Sequence, residues 1–199
     1  MKKIDIKEEE LKKIVNLISS KNYLEAISET KKLIKQFPDD YMFYNILSVS
    51  FMNIEEYEEA LKALNKAVEL DENNIHILNN LGLVHGYLSE YIKAIECYDK
   101  ALKIKPNFLN ALINKAQLKE KLNLNDDAIK ILKTAINYYP NDYFLHYTIA
   151  TMYQFLGNFR NSNLHYQKAL SIKPNATEIY RLISMTKKYI KNDKDFKIF

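Results

Sequence analysis

Four prolines, Pro38, Pro106, Pro140 and Pro174, stand 68, 34 and 34 residues apart, and the vacant slot between the first two falls on Glu72. A fixed period of this length constrains the fold more than any other feature. Each repeat must be one supersecondary unit that cannot bury its apolar face alone and does so only against its neighbours. Counting back from the prolines gives five frames, 7–40, 41–74, 75–108, 109–142 and 143–176, without an insertion. Other slots keep the same register. Ala26, Ala60, Ala94, Ala128 and Ser162 recur twelve residues before the proline slot, and Leu33, Ala67, Ala101, Ala135 and Ala169 recur five before it. Tyr23, Tyr57, Tyr91, Asn125 and Phe159 recur fifteen before it.

Each frame reads as two helices. In the third, IHILNNLGLVHGYL places Leu78, Leu81 and His85 on one face, and IKAIECYDKALKI does the same with Ala94, Tyr98 and Ala101. Apolar residues three and four apart define an amphipathic helix. Pro106 then denies the second helix its next backbone donor. Gly82, Ala94 and Ala101 mark points where helices cross closely, because only small side chains let backbones approach.

These residues resemble the tetratricopeptide repeat (TPR) family. Frame two supplies Tyr44, Leu47, Ser48, Phe51, Ala60, Leu64 and Ala67; frame three supplies Leu78, Leu81, Gly82, His85, Ala94, Tyr98, Ala101 and Pro106. Frame five supplies His146, Ile149, Ala150, Tyr153, Ser162, Tyr166, Ala169 and Pro174. Frame one departs most, with Lys13, Ile14 and Thr30 where the family prefers Leu, Gly and an aromatic, as a terminal repeat with one solvated side can. The resemblance covers 170 of the 199 residues and implies an all-α, right-handed α-solenoid of five helix-turn-helix units. Residues 1–6 form a lead-in. From Thr177, TEIYRLISMTKKYIK looks like the solvating cap helix that a solenoid needs, over 177–191, with 192–199 as a tail.

Composition removes several function classes. A single cysteine, Cys97, excludes a disulfide framework and a multi-cysteine metal site. The formal charge of +4 resides entirely in the last 19 residues, where six cations face Asp193 and Asp195. A neutral body, in a chain whose only arginines are Arg160 and Arg181, argues against nucleic-acid binding, which favours arginine forks on a broad basic face. The N-terminal MKKIDIKEEELKK lacks the apolar core of a signal peptide, and no apolar run approaches a membrane span, so the expected location is cytoplasmic.

No catalytic constellation emerges. His76, His85, His146 and His165 are never three or four residues apart, so no helical zinc site forms. His85 and His146 read as packed imidazoles, and Cys97 as a small apolar filler without a basic neighbour in sequence. Gly82, Gly86 and Gly157 stand singly, which leaves no phosphate-cradling loop. The expectation is a protein that is not an enzyme and has no catalytic residue, cofactor or metal.

The first helices differ in chemistry from the second. Residues 41–54, 75–88 and 143–159 contain no charged side chain; in frame four, Lys115, Lys119, Glu120 and Lys121 break the pattern. Packing between neighbours accounts for such helices, and so does a largely uncharged binding groove. The resemblance implies that first helices line the concave surface through the second, fifth, sixth and ninth residues of each repeat. Among these are Asn45, Asn79, Asn80, Leu83, Asn110, Asn114, Gln117, Phe144 and Tyr147, with Tyr87 further along. Asn80 and Asn114 share a slot in consecutive repeats, resembling the asparagine ladder of O-linked N-acetylglucosaminyl transferases. An amide donates and accepts, so such a ladder pairs with a peptide backbone irrespective of sequence. The Lys and Arg that clamp a C-terminal carboxylate in chaperone-binding members are missing.

The expected function is a protein-interaction scaffold or adaptor that takes an extended peptide or amphipathic helix of low charge. The alternative is self-association, a homo-oligomer in which the tail residues Phe196, Ile198 and Phe199 dock in a neighbouring groove.

Overall fold

The computed structural model describes residues 2–192, with side chains over 8–185. Among the described residues there are eleven α-helices and no strand. Five pairs follow the five frames: α1 (Lys2–Ser19) with α2 (Tyr23–Gln36), α3 (Tyr41–Asn53) with α4 (Tyr57–Leu70), and α5 (Ile75–Tyr87) with α6 (Tyr91–Ile104). The others are α7 (Leu109–Lys121) with α8 (Asn125–Tyr138) and α9 (Tyr143–Phe155) with α10 (Phe159–Ile172). A final helix, α11 (Thr177–Asn192), occupies the stretch read as a cap. Helix α1 is already formed at Lys2, within the residues set apart as a lead-in. Phe196, Ile198 and Phe199 lie outside the described residues.

The turn inside each pair is the same device repeated. Lys21, Glu55, Ser89, Asn123 and Gly157, each 34 residues from the next, all have positive φ, between 59° and 74°. They terminate the first helices in a Schellman motif, in which the following residue's N–H reaches back five positions: Asn22 to Leu17, Glu56 to Phe51, Glu90 to His85, Leu124 to Lys119 and Asn158 to Tyr153. Only the fifth turn uses glycine, the residue with no Cβ penalty in this region.

Second helices close on a carbonyl of the small-residue slot. The cap N–H groups of Asp71, Lys105, Tyr139 and Lys173 bond Ala67, Ala101, Ala135 and Ala169, and proline follows three of these four. First helices open on side-chain caps. Asp40 accepts from the Met42 N–H, Asn74 from His76 and Ile77, and Asp142 from Leu145, which satisfies donors that a helix start leaves unpaired.

The helices gather into two compact units that divide between Ala111 and Leu112. In the first, Ile27, Leu47, Phe51, Leu64, Ile77 and Val84 build one cluster, and Ile14, Ala26, Leu33 and Phe43 a second under α1. In the other unit, Ala150, Tyr166 and Ala169 pack with Ile179 and Ile183 of α11, which thus covers the last pair. Each fully buried aliphatic side chain contributes about 1.5–3 kcal/mol.

Within a pair, two buried slots trade volume. They hold Ile14 and Thr30, Ser48 and Leu64, Gly82 and Tyr98, Ala116 and Leu132, and Ala150 and Tyr166, and all of these residues are buried. The largest side chain of the second helix stands where the first offers least. The Tyr98 ring lies against Gly82 so closely that a Cβ there would come within 2.8 Å of its Cδ1 and Cζ.

Candidate functional site

In the first unit the candidate residues centre on two amides. Asn80 of α5 donates through Nδ2 to Oδ1 of Asn45 on α3 at 2.9 Å, joining the first helices of neighbouring repeats. Both side chains are half-buried, so the bond is neither sealed in the core nor fully hydrated. The bond leaves the Asn45 amide nitrogen with both its N–H groups and Asn80 with its second N–H. Leu83 lies one turn beyond Asn80 and is half-buried, and Asn110 near the start of α7 is exposed. Tyr87 closes α5, where its ring stacks on Tyr57 with centroids 4.7 Å apart.

Asn79 departs from the expected groove set, because it is only 5% exposed. One residue of helical rotation, about 100°, carries it from the open side of α5 into the packed side. Its amide donates to Asn80 Oδ1 at 3.5 Å.

In the second unit the candidates separate. Gln117 and Phe144 line a cavity of about 110 Å³, whose apolar walls include Ile113 and Ala116 of α7, Leu132 of α8 and Met152 of α9. Phe144 is 69% exposed and stands at the mouth. Glu120, one turn along α7 from Gln117, also lines it and is a residue that sequence reasoning passed over as a break in pattern. Neither Asn114 nor Tyr147 lines this cavity. Tyr147 is half-buried, stacked on Tyr143 at 6.1 Å and packed against the cluster around Tyr166. Asn114 is half-buried on α7.

The histidines that sequence spacing kept apart are joined by the fold. His146 of α9 and His165 of α10 meet Nδ1 to Nδ1 at 3.1 Å, and His146 Nε2 lies 3.1 Å from the Pro140 carbonyl oxygen. Burial, His146 and Lys133 together push His165 down to about 4. His85 Nδ1 lies 2.6 Å from Glu90 Oε2, and Glu90 is held below the usual carboxylate range first by the Lys93 hydrogen bond and then by that from His85. Burial pushes the Cys97 thiol up, opposite to the shift of an activated nucleophile. Among the described residues no group of three or more His, Cys, Asp or Glu could hold a metal ion. No helix among them is long and apolar enough to cross a membrane.

Helix pairs in a strict 34-residue register, closed by identical turns, define an α-helical repeat protein of the solenoid class. The chain belongs to the tetratricopeptide repeat family. Models described as tetratricopeptide repeat or TPR repeat match residues 50–89, 76–108, 109–142 and 145–176. The family is in general a protein-interaction module and not a catalytic one. Among solved structures, the C-terminal part of a TPR repeat-containing protein from Cytophaga hutchinsonii is similar with a TM-score of 0.78 at 18% identity, covering 92% of this chain and 72% of that one. MamA is similar with a TM-score of 0.68 at 19% identity, covering 86% of this chain and 93% of its own. YrrB, described as a TPR protein with an unusual peptide-binding site, has a TM-score of 0.63 at 18% identity, with 85% and 87% covered. Identities this low show a shared fold. No curated protein matches the chain.

Proposed function

We propose that this protein is a non-enzymatic adaptor that holds an extended, weakly charged segment of another protein along the first helices of its repeats. The observation that carries this reading is the Asn45–Asn80 hydrogen bond. It orients two amides on helices without a charged residue and leaves N–H donors for the carbonyls of a passing backbone. Asn110 would extend such contacts within the same unit, with Leu83 as an apolar neighbour. Tyr87 and Phe144 are rigid aromatics that suit anchoring. The peptide-binding site named for YrrB gives the reading a precedent within the fold.

The test is quantitative affinity capture from native lysate with wild type beside an Asn45→Ala/Asn80→Ala double variant. Removing both amides avoids leaving one member of the Asn45–Asn80 pair unsatisfied, and the long 3.5 Å contact from Asn79 is the one further bond it removes. The expected outcome is loss of most captured partner at an unchanged melting temperature. Identical capture by both proteins overturns the reading.

A further inference from the structure

The cavity between α7, α8 and α9 carries a chemistry that the backbone-holding amides do not explain. Its walls are aliphatic, yet Gln117 and Glu120 face it from consecutive turns of α7. Glu120 makes no ion pair among the described residues. Lys119 beside it is turned to α8, where its Nζ lies 3.6 Å from Asp127 Oδ2. Thr148, the remaining polar residue lining the cavity, has its hydroxyl donated to the Phe144 carbonyl at 2.8 Å. The cavity therefore offers a cation one carboxylate, one amide and the acceptor lone pairs of the Thr148 hydroxyl, and the carboxylate is its only charge.

We propose that this cavity is a specificity pocket for a basic side chain, lysine or arginine, of the bound segment. The inference rests on the reading of the chain as a peptide-binding module. A long unbranched stem covers the walls formed by Ile113, Leu132 and Met152, while its charged head stays at the mouth, as such side chains do at apolar surfaces. There it meets the Glu120 carboxylate and lies near the exposed Phe144 ring, whose face attracts cations. A purely aliphatic occupant would leave the exposed Glu120 carboxylate without a partner, and an acidic one would meet like charge. A ligand of low overall charge thus carries one cation at this place.

The experiment is a titration followed by NMR of the Met152 methyl group, using the single-residue probes Nα-acetyl-lysine methylamide and Nα-acetyl-norleucine methylamide. The norleucine probe has an aliphatic side chain without the charge. The lysine probe is expected to move the Met152 signal and to bind about threefold to fivefold more tightly, the range of a partly solvated ion pair. That advantage disappears in Glu120→Gln and shrinks as salt is raised. Phe144 is largely exposed, so Phe144→Ala keeps the fold and weakens the lysine probe. Equal or tighter binding of norleucine, or an unmoved Met152 signal, overturns the pocket. The Asn45 and Asn80 variants probe the other unit, so capture that ignores those amides, with the lysine preference intact, would sink the adaptor reading alone.

Discussion

His146 and His165 face each other across 3.1 Å through their Nδ1 atoms, one buried on α9 and the other half-buried on α10. His146 Nε2 donates to the Pro140 carbonyl, and the Nδ1–Nδ1 contact holds one proton, given by one ring and accepted by the other. Tyr153 stacks on the His165 ring at 5.9 Å, and Lys133 sits over the Tyr153 face at 5.6 Å.

This pair makes stability depend on pH. His165 has a native pKa of about 4 against 6.5 for the free side chain. The unfolded chain therefore binds more protons between these values, and the contribution is complete above pH 6.5 and lost as pH falls through 4. Thermal melts are expected to show a falling midpoint over that window. His165→Ile, which copies Ile131 in the same slot of the preceding repeat, should flatten the curve. An equally steep curve in the variant would assign the effect to other groups.

Gly82 and Tyr98 form a volume pair. Gly82→Ala is expected to cost about 1–3 kcal/mol, because the tyrosine ring has to move from its packed position. Adding Tyr98→Leu should recover much of that loss, since Ala116 and Leu132 already form that combination in the next repeat. Chemical denaturation of both single variants and the double variant measures the coupling, and additive losses would refute it.

The five turns offer a stabilising change. Lys21, Glu55 and Ser89 are exposed and have positive φ, so removing their side chains relieves backbone strain at little loss, which at Ser89 is one exposed hydrogen bond from the Tyr91 hydroxyl. Glu55→Gly or Ser89→Gly is expected to stabilise by about 0.5 kcal/mol, after the added freedom of the unfolded chain is offset. Gly157→Ala should destabilise by about 1 kcal/mol, although nothing lies within 4 Å of the added methyl. Denaturation midpoints that leave all three variants unchanged would show that the turns carry no strain.

Asn74 caps α5 by accepting from two backbone N–H groups, at 3.0 and 3.4 Å. Asn74→Ala is expected to cost about 1 kcal/mol, and Asn74→Asp to retain most of the stability. Amide hydrogen exchange in the first turn of α5 reports this directly, because loss of the cap accelerates exchange there first.

The repeat was legible because its signals are local. Proline placement, the alanine slots and the spacing of Leu78 and Leu81 recur at a fixed distance, and each acts within a turn or two of its own helix. Asn45 and Asn80 were legible as polar residues on first helices, though not as a bonded pair. The positive-φ turns were hidden because Lys, Glu, Ser, Asn and Gly share no side-chain chemistry; the backbone path alone requires the conformation.

Periodicity and composition by themselves settled the helical class, the 34-residue register and the charge-poor first helices. Tertiary structure decided what those helices bring together. It set His146 against His165, turned Asn79 inward and placed Glu120 on an apolar cavity. Helical position assigns a residue to a face within its own element, whereas contacts between elements depend on how closely the helices approach. Those approaches are set by the volumes of residues such as Gly82 and Tyr98, far apart in sequence and pressed together in the fold.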